Sequence, residues 1–502
     1  MRQHEYSAKA KRLPLASAKR ARAQALEPEG PSLKEKLLAI VQGDPFINSV
    51  MVAAITIGFF HGWLKFNYPH PLVTFLFDGT LLAALSLAYL RHKRNIPFIP
   101  RGSVGAALVG FYVVCIIYAL LPFGPPLLMS VAALRGWCFA TLMYTLGYNM
   151  TRSLAQVKGY FYVLIILGVI TAAYGIRQSP TEIERRMQED EQYAARLKGT
   201  YYSTQSGQAQ LRVFSTFVSA GVFGSVMAHV IIFAVALLSE ERAPKTERIL
   251  LVLAILPMAY GLLLTGARSA LVTLGVGFAL AAWYHRKFRT FFLLPLAIYL
   301  AMRWAAEYTK GAALERYGTL LQTEQVWHRF LNPAIVALYA FADNPIGGGL
   351  GKSGYSVPFF LVGRTGYQDT SPGEGDLSCL VIEMGVVGVA AFLRVLYVAC
   401  KAGYDALIRL RGTPVASLAL ASAACVLLAV VAFPIGSPFL SIPTGALTWF
   451  FAGTLQKLSH DYQASPPAPA PAQAPPTPSG KRFLYSRPPK LAPGRSPPAP
   501  SP

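Results

Sequence analysis

The 502-residue chain is 53% hydrophobic and only 14% charged, with a mean hydropathy of +0.40, which excludes a soluble domain of this length and points to a polytopic membrane protein. The formal net charge of +22 does not mark a nucleic-acid binder. The basic residues gather in short connections between apolar runs, as they do on the cytoplasmic side of membrane proteins.

In chain order, residues 1–44 form a basic tail in which "RQHEYSAKAKRLPLASAKRARAQ" lacks the apolar core of a cleavable signal peptide. A membrane domain over 45–458 follows. A spanning helix takes about 20 mostly apolar residues, and about twelve such runs are present. They lie near residues 46–63, 71–90, 103–122, 126–148, 159–176, 216–238, 249–264, 269–284, 290–304, 377–398, 414–433 and 439–456. The basic connections "RHKRN", "TRSLAQVK", "ERAPKTER", "HRKFR" and "KAGYDALIRLRG" fall on one side if both termini are cytoplasmic. The exterior side then receives "KFNYPHP", "FGPP", the turn at Arg268, "FPIGSP" and two long segments, 178–212 and 305–375. Residues 459–502 close the chain as a Pro-rich tail expected to be disordered.

Cys115, Cys138, Cys379, Cys400 and Cys425 all lie in or at the ends of apolar runs, so no disulfide framework or metal–thiolate site is implied. Two arginines break the sidedness of positive charge. In "LLLTGARSALVTLGVGF" Gly266 permits a tight turn that places Arg268 at the exterior end of a helical hairpin. A snorkelling anchor would explain one arginine there, and a bound anion would explain it as well. Arg212 precedes the run that begins near Ser215, where the first turn of a helix would add unpaired N–H groups and a positive dipole end. Together two arginines and a helix terminus suit a diphosphate, whose oxygens accept paired guanidinium bonds.

"LRVFSTFVSAGVFGSVMA", "LLLTGARSALVTLGVGFALA", "RFLNPAIVALYAFADNPIGGGLG" and "GDLSCLVIEMGVVGVAAFL" resemble, in this order, the landmarks of the O-antigen ligase and Wzy-type polysaccharide polymerase superfamily, over about residues 211–393. The resemblance implies an all-α polytopic protein of the bacterial inner membrane, with about 12 transmembrane helices and a large periplasmic loop carrying short helices. It also implies a glycosyltransferase using glycans on undecaprenyl diphosphate at the periplasmic face, with a flippase and a chain-length regulator of the same pathway as partners. The resemblance further implies that Arg212 and Arg268 match the superfamily's diphosphate-binding arginines. Ligases usually carry a histidine just before the helix that reads "LSCLVIEMGVVG" here, and Glu374 takes that place. A carboxylate serves equally as a general base. The change weakens the ligase reading and leaves the polymerase reading intact.

The chemistry expected is attack of a sugar hydroxyl on the anomeric carbon, with Glu374 or Asp376 as base, Arg212 and Arg268 taking the charge of the departing diphosphate, and no metal or cofactor. Both acids also suit a helix entry, where the dipole favours them. Asn332 and Pro333 open a short amphipathic helix, "AIVALYAFAD". In "GGGLGKS", Ile346 stands where a P-loop needs its first glycine, which argues against a nucleotide. Arg316, His328, Arg329, Lys352 and Arg364 are candidates for phosphate or acidic-sugar contact, and Tyr355 and Tyr367 for stacking on sugar rings. A ligase acting on lipid A-core, or a transporter or flippase, is the alternative. A transporter should show broken helices and ionisable groups at mid-bilayer; Asp78, Arg135 and Glu383 are the notable intramembrane charges, Asp78 and Arg135 without an evident partner and Glu383 suited to bracing a loop.

Overall fold

The computed structural model describes residues 45–68, 70–91, 99–100, 102–121, 124–178, 180–190, 193, 201–203, 209–240, 243–285, 332–354 and 375–464, with short pieces between 296 and 318. The N-terminal tail 1–44 and most of the C-terminal tail lie outside the described residues. The chain separates into a unit Met1–His460 and a C-terminal unit Asp461–Pro502, of which residues 461–464 are described.

Helices dominate, because long runs of apolar residues with few breakers can satisfy their backbone only internally when no water is at hand. They are α1 (Pro45–Asn67), α2 (Pro71–Arg91), α3 (Ser103–Ala119), α4 (Leu127–Met150), α5 (Leu154–Ile176), α6 (Pro180–Glu189), α7 (Ala220–Leu238), α8 (Lys245–Leu264), α9 (Arg268–His285), α10 (Asn332–Asp343), α11 (Asp376–Leu410), α12 (Ala416–Ala432) and α13 (Thr444–Ala464). Among the described residues, seven helices are long and apolar enough to cross a membrane, and α3 and α12 are shorter apolar helices. Each apolar run expected from the sequence coincides with one of these helices except that at 290–304, which falls mostly outside the described residues.

Helix α7 forms the centre. It packs against α5, α8, α9 and α12, and its side chains are buried almost throughout. Stacked and tilted rings of Phe161, Phe233 and Phe451 join α5, α7 and α13. A second group is built on α11, which packs against α3, α10 and α12. Here Phe392 meets Phe111, Trp137 and Phe433.

Three places depart from the expected helices. The run 216–238 begins as helix only at Ala220, and the run 439–456 only at Thr444. The segment 178–212 contains α6 and a two-stranded antiparallel ribbon, Tyr201–Ser203 (β1) with Ala209–Leu211 (β2), in which Tyr202 faces Gln210. Ile183 of α6, Tyr193, Leu211 and Phe214 bury one another against Phe66 of α1. That contact fixes this segment to the end of the bundle where α1 stops.

Candidate functional site

The turn predicted at Gly266 is present, with Gly266 at φ 60. Thr265 tightens it: its Oγ1 donates to Leu262 O at 2.6 Å and accepts the Ala267 N–H at 3.0 Å. Arg268 is therefore the first residue of α9 and is half-buried. A cation at the positive end of a helix dipole is the disfavoured arrangement, and an anion beside it reverses the sign of that effect.

Arg212 reaches the same turn. Its Nε donates to Thr265 O at 3.0 Å, and the next backbone N–H, of Val213, donates to Leu264 O at 3.3 Å. The structure thus brings Arg212 and Arg268 to one turn, although they lie 56 positions apart in the chain. The helix terminus beside Arg212 differs from expectation. Residues 212–219 are irregular, and the N-terminus of α7 is closed by Ser219, whose Oγ accepts the Val222 N–H at 3.3 Å. The helix start next to Arg212 is that of α9.

The irregular stretch is held throughout by specific bonds, as buried non-helical backbone must be. Gln178 Oε1 accepts the N–H groups of Phe214 and Ser215 at 3.2 and 3.0 Å. Ser215, at φ 54, donates its hydroxyl to Thr171 O at 2.5 Å. Thr216 grips one turn of α1: its carbonyl accepts the Trp63 N–H at 2.8 Å and its hydroxyl donates to Phe59 O at 2.6 Å. These are the two groups that a regular helix would join to each other.

Asp376 is the first residue of α11 and is fully buried. Its carboxylate turns away from its own helix. Oδ2 accepts the Phe439 N–H at 2.7 Å, while the Asp376 N–H donates to Gly436 O at 2.9 Å. The residue therefore ties the start of α11 to the turn between α12 and α13. Glu374, two positions earlier, lies outside the described residues, as do Arg316, His328, Arg329, Tyr355, Arg364 and Tyr367. Lys352 is exposed.

The glycine run has a structural explanation that its resemblance to a P-loop concealed. Helix α11 breaks at Gly385, whose φ 52 and ψ −146 are non-helical. The Val386 N–H, which in a regular helix would return to Ile382 O, donates instead to Pro345 O at 2.9 Å. Ile382 O and Glu383 O accept the N–H groups of Gly348 and Gly349 at 2.9 and 3.0 Å. Backbone lies directly on backbone here. A Cβ on Gly347 would stand 2.6 Å from Gly385 N and 2.7 Å from Glu383 O, so only glycine fits. The buried Glu383 carboxylate completes the lock, accepting Ser353 Oγ–H at 2.6 Å and Trp137 Nε1–H at 2.9 Å. Glu383 does brace this loop, as its position in the sequence allowed.

Asp78 and Arg135, which sequence reasoning left without partners, bind each other. Arg135 Nε and Nη2 both lie 2.5 Å from Asp78 Oδ2, and the guanidinium also sits over the Phe75 ring. The pair spans α2 and α4, and no local spacing signals it. Helix α10 forms over Asn332–Asp343 as expected, with Leu338 and Tyr339 exposed.

No protein-family model and no curated protein matches this chain.

Proposed function

We propose that the protein is a membrane glycosyltransferase of the O-antigen ligase and polymerase type, a polymerase that joins oligosaccharide repeat units carried on undecaprenyl diphosphate. In this reading about twelve spans cross the bacterial inner membrane, both termini are cytoplasmic, and segments 178–212 and 305–375 face the periplasm. The single observation that carries the reading is the shared turn of the two arginines, with Arg212 Nε on Thr265 O and Arg268 at the start of α9. Paired guanidinium groups at a helix N-terminus suit a diphosphate oxyanion.

The transfer proceeds by direct displacement. The acceptor hydroxyl oxygen bonds to the anomeric carbon, the bond from that carbon to the diphosphate oxygen breaks, and the anomeric configuration inverts. The hydroxyl proton passes to Glu374, and the lipid diphosphate departs as an anion whose growing charge is stabilised by Arg212 and Arg268. Neither a metal nor a cofactor is needed for such a step. The broken helix at Gly385 beside the buried Glu383 is a feature that a transporter would also use, which keeps a flippase as the second reading.

The test is to delete the gene and follow the surface polysaccharide. Single repeat units attached to their normal anchor support a polymerase. Unattached polymer would assign a ligase, and lipid-linked units retained on the cytoplasmic leaflet would assign a flippase.

A further inference from the structure

A cavity of about 130 Å³ opens where α1, α2 and α4 meet the irregular stretch 212–219. His61 and Lys65 line it from α1, Phe77 and Asp78 from α2, and Arg135 and Phe139 from α4. Val218 and the turn Phe439–Ile442 complete the wall.

The most informative group is His61. It is 3% exposed, and neither ring nitrogen has a hydrogen-bond partner among the described residues. A buried imidazole with both nitrogens unpaired is costly, and an occupant able to hydrogen-bond, water or a polar ligand, is the ordinary explanation. Its neighbours say which kind. Asp78 answers Arg135 through Oδ2, so its other oxygen keeps acceptor capacity, and the Arg135 charge is already met inside the protein. Imidazole, carboxylate and ammonium groups beside the Phe77 and Phe139 rings offer donors and acceptors together with apolar faces. A sugar ring presents the same mixture, hydroxyls on its rim and C–H groups on its faces. The volume is close to that of a cavity which admits one benzene ring, about 150 Å³, so there is room for no more than one sugar ring, which would keep part of its hydroxyl rim at the opening.

We propose that this cavity is a binding site for one neutral sugar ring, recognised by His61, Asp78 and Lys65 and flanked by Phe77 and Phe139. Its walls are tied to the proposed transfer centre at two points. Val218 belongs to the stretch that Arg212 anchors on Thr265, and Phe439 is held by Asp376. Naming the occupant as the terminal sugar of the acceptor glycan rests on the transferase reading. Sugar binding itself does not.

The experiment is saturation-transfer-difference NMR on the full-length protein in detergent micelles, with methyl glycosides of hexoses and N-acetylhexosamines as probes and inorganic phosphate as the competing anion. At least one neutral glycoside should bind saturably in the millimolar range, without displacement by phosphate. His61→Leu should weaken it by about tenfold, the equivalent of one lost hydrogen bond near 1.4 kcal/mol, while His61→Gln retains most of the affinity. Ala140→Trp, which fills the cavity, should abolish binding, with thermal unfolding of each variant verifying the fold. Failure of every glycoside to saturate, equal binding to His61→Leu, or a site taken only by phosphate would overturn the proposal. The Arg268→Ala variant separates the two claims: it should still bind the glycoside while making no polymer. Glycoside binding by a wild-type protein that makes no polymer would sink the transferase reading alone.

Discussion

Arg268, Asp376 and Glu383 show how differently a charged side chain is used within one apolar bundle. Arg268 stands at the positive end of a helix with Arg212 on the same turn, an arrangement that a bound anion would stabilise. Glu383 is the opposite case, a carboxylate whose two oxygens both accept hydrogen bonds inside the protein. Trp137→Phe removes one of those buried bonds and should destabilise by about 1–3 kcal/mol. The check is the thermal unfolding midpoint of the purified protein, and an unchanged midpoint would show that this bond contributes nothing net. Asp376 bonds to the Phe439 N–H, a role that asparagine can fill through its carbonyl oxygen. Asp376→Asn should therefore keep near-normal transfer, whereas Glu374→Gln should lower it by about a hundredfold to ten-thousandfold with lipid-linked substrate still bound. The reverse order of the two rates would move the base to Asp376.

At the scale of elements, the features of the candidate site gather where helices are interrupted. Thr216 takes both bonding groups of one turn of α1, and Thr216→Val removes the hydroxyl at nearly constant volume. The Phe59 carbonyl then loses a partner, and a loss of about 1 kcal/mol is expected, read as a lower unfolding midpoint; no change would mean that the backbone contact alone seats the stretch. Gly385→Ala is more severe. Its φ 52, ψ −146 conformation costs other residues about 1–3 kcal/mol, and a Cβ there would stand 2.2 Å from Pro345 O. Protease cleavage within residues 344–354 should rise sharply in that variant, and wild-type protection would show that the loop is held by other means. Helix positions were legible in the sequence because hydropathy reports length and apolarity directly. The breaks at 216–219 and 439–443 were not, since both are as apolar as the helices they precede. Their signals were local: Ser215, Thr216 and Ser219, whose hydroxyls compete for backbone groups, and Pro434, Pro438 and Pro443 within a few residues of one another. The turn at Gly266 was legible for the same kind of reason. The Asp78–Arg135 pair was not, because its partners lie on different helices.

For the whole molecule, the distribution of Lys and Arg predicts an orientation that can be tested without any assay of transfer. Single cysteines placed at Ser206 and Thr365, both outside the described residues, should react with an impermeant thiol reagent in intact spheroplasts. Protection of both would reverse the orientation and put the arginine turn on the side where no lipid-linked glycan awaits transfer. The central claim is that Arg268, with Arg212, holds the diphosphate of the lipid carrier. The most direct measurement is polymer formation by purified full-length protein supplied with lipid-linked repeat units, comparing Arg268→Lys with Arg268→Ala at matched folding. A planar, bidentate contact predicts that the lysine variant fails nearly as badly as the alanine variant, since an ammonium cannot reproduce the fork of a guanidinium. Full activity of Arg268→Lys would contradict it and reduce the arginine to an anchor at the membrane surface.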